Sequence, residues 1–519
     1  MVFNQHSRKS NIIKSSFFSL LCRLINIALG LGYRFVFLKI LSIEYLGING
    51  LFTNVIGVLS LVELGITYSI VYRFYDPISK EDVNRVGELM NFFRQAYLVI
   101  ALTITVIGLS ITPFIQSLIK DASDIPPDVN IHVIFILFLL QSSSSYLFSY
   151  KLTLLTADQK QYLHSVITTG IAIASNTIQI VVLIVFRDYT IALLSGIATT
   201  ILLNWISSLW VTGQYRPVFQ VKSKLSKQDR QVIFKDSSAA MLHKVGGTVL
   251  TSTDSILLSR FFGLAATGLY ANYALIISSV MDTVQMVFSG FTPSLGNAHV
   301  VLDKDSRYEM YRKSLYLNFL VVGVTTVCIF GLIDDFLFIW LRKEYFLDNG
   351  IVILLTAYYF INGARVITTS YTNACGLFVR DKIRPIIEAS LNILISIVSL
   401  KAIGLGGVFL GTIISSLLTV FWREPLLLYK YAFEKSVAEY WKEYLRITVV
   451  VLISASIVHF FINGLFNVDG NILLWLLKAL ACIAVFLLVH FIFYFRTKEY
   501  RYMIDQAKEM LVRRKEQER

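Results

Sequence analysis

Apolar runs of roughly 18 to 27 residues recur along the whole 519-residue chain, and each is long enough for a helix to cross a hydrocarbon layer of about 30 Å. In lipid every backbone N–H and C=O must find its partner within the protein, so such a chain is expected to be an all-α polytopic membrane protein. Fourteen spans can be marked, of which the first six are 15–41, 48–72, 92–118, 131–154, 163–186 and 189–212. The other eight are 232–259, 268–296, 314–340, 351–375, 385–400, 403–422, 447–465 and 472–495. Composition agrees: 55% of residues are hydrophobic and 16% are charged, against about 25% charged in an average soluble chain. Residues 1–14 show no small-residue cleavage site after a short apolar core, so the first span is expected to persist as the first helix.

A net charge of +13 would suggest nucleic acid in a soluble protein, but here the placement of charge matters more than its sum. With the N-terminus inside and fourteen spans, 35 of the 47 Lys and Arg lie in or beside cytoplasmic segments, 7 lie outside and 5 lie within spans. This asymmetry follows the positive-inside rule, and it implies a multi-pass membrane protein with both termini cytoplasmic and no nucleic-acid partner. The narrowest division is between the eleventh and twelfth spans, where only Lys401 and a turn containing Gly404, Gly406 and Gly407 intervene. Thirteen spans instead would put the C-terminus outside.

The outer loops are short, the largest being 120–130, which leaves little room for chemistry at the outer face. No phosphate-binding loop ending in Gly-Lys-Ser/Thr and no His-Glu-x-x-His is present, so neither an ATPase nor a metallohydrolase is indicated. Cys22, Cys328, Cys375 and Cys482 all fall in apolar spans without metal-ligand spacing and read as small core residues. Asp303-Lys304-Asp305 imitates the acidic pair of a glycosyltransferase but sits in a short basic loop. No catalytic residue, metal or cofactor is expected.

The chain also repeats itself at an offset of 221: Arg23 aligns with Lys244, Lys39 with Arg260, and Gly47 with Gly268. Each copy opens a half of six spans, and an even number makes the halves parallel, related by an axis along the membrane normal. The expected organisation is a six-helix bundle over 1–212, a basic linker at 213–231, a second six-helix bundle over 232–430, two additional helices over 431–495, and a basic amphipathic tail at 496–519. The tail, with Tyr500, Met503, Ile504 and Leu511 on one side, is expected on the anionic inner leaflet.

Glu44-Tyr45-Leu46-Gly47-Ile48-Asn49-Gly50-Leu51-Phe52, then Leu61-Val62-Glu63-Leu64-Gly65, Tyr75-Asp76-Pro77, Arg94-Gln95-Ala96-Tyr97 and Gly268-Leu269-Tyr270-Ala271-Asn272-Tyr273 form a further pattern. In these segments the chain resembles the Wzx-type O-antigen and capsule flippases of the multidrug/oligosaccharidyl-lipid/polysaccharide exporter superfamily. The resemblance implies two bundles forming a V around a central cavity, with alternating access. The added pair of helices is similar to the arrangement in the lipid II flippases of that superfamily, where they make a groove for a lipid tail.

Ionisable groups at membrane depth are costly and so point to function. Ser16, Ser19, Arg23, Asn26, Gly30 and Arg34 step by three or four along the first span, and so form one stripe. Asn49, Thr53, Gly57, Ser60 and Glu63 mark the second span, and His243, Lys244, Thr251 and Asp254 the seventh. Asp282 and Gln285 mark the eighth, Asn362, Arg365 and Thr369 the tenth, and Glu388 and Asn392 the eleventh. The expected substrate is a polyprenyl-pyrophosphate-linked oligosaccharide, whose phosphates would meet Arg23, Arg34, Lys244 and Arg365, with Asn26 and Asn362 beside them. Small polar residues such as Ser60 and Thr251 read as helix-helix contacts, and pairing of Arg23 with Glu63 is the structural alternative. Glu63, Asp254, Asp282 and Glu388 are candidates for coupling to a proton or sodium gradient. A lipid II flippase and a cation-coupled multidrug exporter are the competing readings. Membrane lipids, a polysaccharide polymerase and chain-length proteins are the partners that this function implies.

Overall fold

The computed structural model describes the backbone of residues 8–63 and 66–517, and side chains in that range except at 8–13, 16, 66–69, 234–244, 293, 300, 378, 507 and 510–517. These residues form helices, turns and loops without a strand. Among them thirteen helices are long and apolar enough to cross a membrane, and each overlaps one of the spans marked in the sequence. The remaining span, 232–259, lies within one continuous helix, Lys227–Phe262.

Two compact units, Met1–Ala271 and Asn272–Arg519, divide the chain. The first holds α1 (Arg8–Ile40), α2 (Ile43–Leu59), α3 (Ile66–Ser79), α4 (Val83–Ile111), α5 (Ile131–Ala157), α6 (Gln161–Phe186), α7 (Tyr189–Gln214), the short α8 (Arg216–Gln220) and α9 (Lys227–Phe262); α10 (Leu264–Ser289) contains the boundary. Side-chain caps start several of them, as at Asp82 for α4, Asn130 for α5, Asp188 for α7 and Ser226 for α9. Helix α1 lies on α6, α5 lies between α4 and α7, and α2 lies along α9.

Positions of close approach reveal the repeat directly. A Cβ at Gly47 would overlap the Leu264 carbonyl oxygen, and one at Gly268 would overlap the Ile43 carbonyl oxygen. The 221-residue offset converts one contact into the other, the reciprocity that a twofold axis produces. A Cβ added at Gly50 would lie 3.8 Å from the Ala271 methyl, the equivalent position, so that axis passes between them. Glycine is required at 47 and 268 because any side chain would force the two backbones apart.

The second unit continues with α11 (Thr292–Val301), α12 (Lys304–Trp340), α13 (Asn349–Gly363), α14 (Val366–Ala374), α15 (Arg384–Ile403), α16 (Gly406–Leu418), α17 (Val420–Leu428), α18 (Ala438–Ile457), α19 (Asn463–Leu465), α20 (Ile472–Tyr494) and α21 (Lys498–Gln517). The division at Lys401 is real: Gly404 turns the chain at φ 66°. Gly407 and Gly411 then bring α16 onto the backbone of α15 at Ser399 and Ser396.

The additional helices are keyed into α12. Gly323 receives the Phe486 ring, and Gly331 receives Val458 and Cys482. Lys478, suited from its sequence to snorkelling or packing, is buried and ion-paired with Asp335 of α12 at 2.5 Å. His490 stacks on Tyr494 with ring centroids 4.3 Å apart. The start of the tail docks on the protein: Glu499 pairs with Arg312 at 2.6 Å and Tyr502 lies under Lys313. Met510 to Arg519, the basic end of the tail, lies outside the described side chains. Asp303 has an architectural use, accepting from the Asp305 and Ser306 amides to cap α12, and Asp305 pairs with Lys435.

Two spans expected to be continuous are broken. The second ends α2 at Leu59, passes through a 3₁₀ turn at Ser60–Val62 and puts Glu63 at the break. The tenth breaks between α13 and α14, with Arg365 as the residue before α14. In each case an ionisable residue stands where the helix tightens to i→i−3 bonding, Glu63 donating its amide to the Ser60 carbonyl at 3.0 Å and Arg365 to the Asn362 carbonyl at 3.2 Å.

Candidate functional site

In the first unit the break after α2 places Glu63 between two phenols. Tyr97 of α4 donates to Oε1 at 2.9 Å, and Tyr146 of α5 donates to Oε2 at 3.0 Å. The rings of Tyr97 and Tyr146 meet edge to face at 5.6 Å, which fixes both hydroxyls. One carboxylate and two phenolic oxygens form an all-oxygen set, suited to a proton or a hard cation such as sodium. Protonation of Glu63 would turn an acceptor into a donor and oblige one tyrosine to reorient.

The stripe on α1 divides between neighbours. Asn26 donates to Thr169 of α6 at 2.9 Å and to the Cys22 carbonyl at 2.9 Å, and Ser19 meets Ser165 at 3.2 Å on the same seam. Arg34 turns instead to the Ala271 carbonyl oxygen, beside the local axis. At the equivalent position in the repeat stands Ser255, which receives a hydrogen bond from Asn54 at 3.0 Å while Asn54 also bonds the Gly50 carbonyl. Arg23 is half-buried on α1, and Asp254 is buried on α9. Lys244 lies in α9 with its side chain outside the described residues.

In the second unit Arg365 belongs to a buried ionic network. Its guanidinium meets Glu424 at 2.8 Å and Asn362 at 3.2 Å, and Thr369 donates to the same Glu424 oxygen at 2.8 Å. Arg384 bridges Asp381 and Glu388, each at 2.5 Å, and reaches Glu424 at 3.7 Å. Ser416 donates to Glu388 at 2.9 Å, and Arg423 approaches Asp381 at 3.5 Å. Three guanidinium groups thus face three carboxylates. Asp282 is exposed on α10.

Sequence reasoning marked Glu63, Arg365, Asn362 and Glu388 as candidates but missed Tyr97, Tyr146, Arg384 and Glu424 as their partners. Glu424 lay just beyond the twelfth span as marked. The signal was available, because the apolar run continues past Pro425 to Phe433 and the span indeed reaches that residue. Among the described residues no group of three His, Cys, Asp or Glu could hold a metal ion.

No family model matches this sequence, and no curated protein does either. Solved structures do. A lipid II flippase, MurJ, in an inward closed conformation matches with a TM-score of 0.64 at 15% identity, over 93% of this chain and 99% of its own. A mutant of the Vibrio cholerae MATE transporter VcmN matches with a TM-score of 0.60 at 12% identity, over 83% of this chain and 98% of its own. The chain shares the fold of these proteins. A MOP-superfamily transporter from Pyrococcus furiosus, with a TM-score of 0.55 at 12% identity over 83% of this chain, shares it.

Proposed function

We propose that this chain is a non-enzymatic flippase that carries a polyprenyl-pyrophosphate-linked oligosaccharide, the repeat unit of an O-antigen, capsule or exopolysaccharide, across the bacterial cytoplasmic membrane by alternating access. The observation that supports a lipid-linked cargo most is the pair α18 and α20, fastened to α12 through Lys478, Asp335 and two glycine contacts. A polyisoprenoid tail must stay in apolar surroundings while its head crosses, and α20 presents Leu473, Leu476, Leu480 and Leu487 outward. The likeness also covers 93% of the chain for the protein titled a lipid II flippase, against 83% for the MATE transporter VcmN.

In this reading Arg23, Arg34 and Lys244 meet the pyrophosphate, with Asn26 at their side. Arg365 contributes when the cargo competes with Glu424, and Asn362 steadies it. Glu63 takes the coupling proton or sodium ion, and Asp254 and Asp282 stand as further carriers; Glu388 is the least available, being held by Arg384. A polysaccharide polymerase and chain-length proteins would act on the exported unit.

Expression in a strain lacking its own O-antigen flippase tests the proposal. Surface polysaccharide should return, and Glu63→Gln and Arg34→Ala should each lose the rescue at normal membrane levels. Rescue of a strain depleted of its lipid II flippase instead would move the cargo to lipid II. Failure of both, with sensitivity to cationic dyes on deletion, would move it to drug export.

A further inference from the structure

Three cavities in the described residues differ in how their charges balance. One, of about 560 Å³, brings Arg73, Lys80 and Arg85 together with Asp76, Asp82 and Asp229. A second, of about 190 Å³ where α12 meets α18 and α21, sets Arg312, Lys442 and Arg446 against Glu439, Glu443 and Glu499. The third, of about 360 Å³ among α4, α5 and α7, has Arg94 and Lys151 on its walls and no carboxylate. Lys151 donates to Thr212 at 2.9 Å and lies over the Phe219 ring, and among the described residues neither it nor Arg94 has an acidic partner. The two cations are close enough to repel one another.

Both residues lie inside helices long and apolar enough to span the membrane, near the ends that join basic loops. Two uncompensated cations at that depth are costly unless an anion joins them. The mouth is built for lipid: Trp205 and Leu209 are each about half exposed, and Leu98, Leu102, Val106 and Leu109 continue as one exposed apolar face along α4 away from the cations. A tryptophan beside cations at the edge of an apolar face is the arrangement found at headgroup level.

The geometry points to a binding site for an anionic phospholipid of the leaflet on the basic-loop side, with its phosphodiester between Arg94 and Lys151 and an acyl chain along α4. A headgroup without an ammonium is required, because an ammonium would meet two like charges. The cavity has room for a glycerophosphate head, holding the volume of on the order of a dozen waters at about 30 Å³ each. The site is independent of which cargo is transported.

The full chain in detergent, titrated with phosphatidylglycerol, phosphatidylcholine or free glycerol phosphate, tests this by thermal unfolding. Phosphatidylglycerol should raise the midpoint where the other two do not, and Arg94→Gln with Lys151→Gln should weaken that response about tenfold or more. An equal response to glycerol phosphate, or an unchanged response in the double variant, would overturn the site. Should the double variant not fold, the unaltered protein serves through Trp205. Phosphatidylglycerol brominated near the head of its chains should quench a component of fluorescence that is absent in Trp205→Phe, and brominated phosphatidylcholine should not. Equal quenching by both lipids would reduce the cavity to an ordinary lipid-facing wall.

Discussion

Arg365 and Glu424 illustrate how a single charged residue is read differently alone and in place. Alone, an arginine in a span calls for an anionic ligand; in place, its charge is met by a carboxylate from α17 and shared with Arg384. Removing one partner of a buried pair leaves an uncompensated charge, so Glu424→Gln should destabilise the protein by about 3–5 kcal/mol. Arg365→Met combined with Glu424→Leu should recover most of that loss, as thermal unfolding in detergent would register. If the doubly apolar protein is stable yet no longer transports, Arg365 has a use beyond its pairing; full transport would make the network architectural. The Glu63 carboxylate accepts from two neutral phenols, Tyr97 and Tyr146, one on each oxygen.

At the scale of elements, glycines decide where helices meet. Gly47→Ala and Gly268→Ala should each cost about 1–3 kcal/mol, since the new methyl meets a backbone carbonyl that cannot move aside. Gly170→Ala, with nothing within 4 Å of the added carbon, should be neutral or stabilise α6 by up to about 1 kcal/mol. Parallel unfolding curves of the three variants would check both statements. The start of α9 is tied to α4 by Arg85 and Asp229 at 2.9 Å. The Ser226 hydroxyl, followed by Arg85, holds the Asp229 carboxyl below its ordinary value of 3.8. A lowered carboxyl pKa favours the folded state above the unfolded value and loses that contribution as pH falls through the folded one. The distance between spin labels on the two helix starts should therefore be constant from neutral pH down to about 5 and lengthen only below 3.8, whereas Arg85→Ala should lengthen it at every pH.

For the molecule as a whole, the long helix α9 sets the sidedness of the first unit. The segment before α5 lies at its far end, where the Lys120 amide donates to the Ser259 carbonyl at 3.1 Å, while Asn91 holds the Val221 carbonyl near its start. Thirty-six residues of helix separate those ends by about 54 Å. In a chain with its four native cysteines replaced, Ser123→Cys should react with an impermeant thiol reagent in intact cells and Lys224→Cys should not. The opposite result would invert the topology.

The approximate number and places of the spans, the two added helices and the 221-residue repeat were legible in the sequence, because lipid imposes a length and an apolar composition on every crossing segment and symmetry leaves its mark at a constant offset. So were several of the ionisable positions, since charge in an apolar run has no cheap explanation. What only the tertiary structure decided was the partner of each charge. Asn26 met Thr169, 143 positions away, Arg365 met Glu424, 59 positions away, and Lys478 met Asp335, 143 positions away. Such pairings depend on which helices lie side by side, and in lipid that choice rests on close backbone approach and matched polar groups rather than on any periodicity within one span. The unmatched pair Arg94 and Lys151 was visible for the same reason: only when neighbours are known can a charge be found without a counterion.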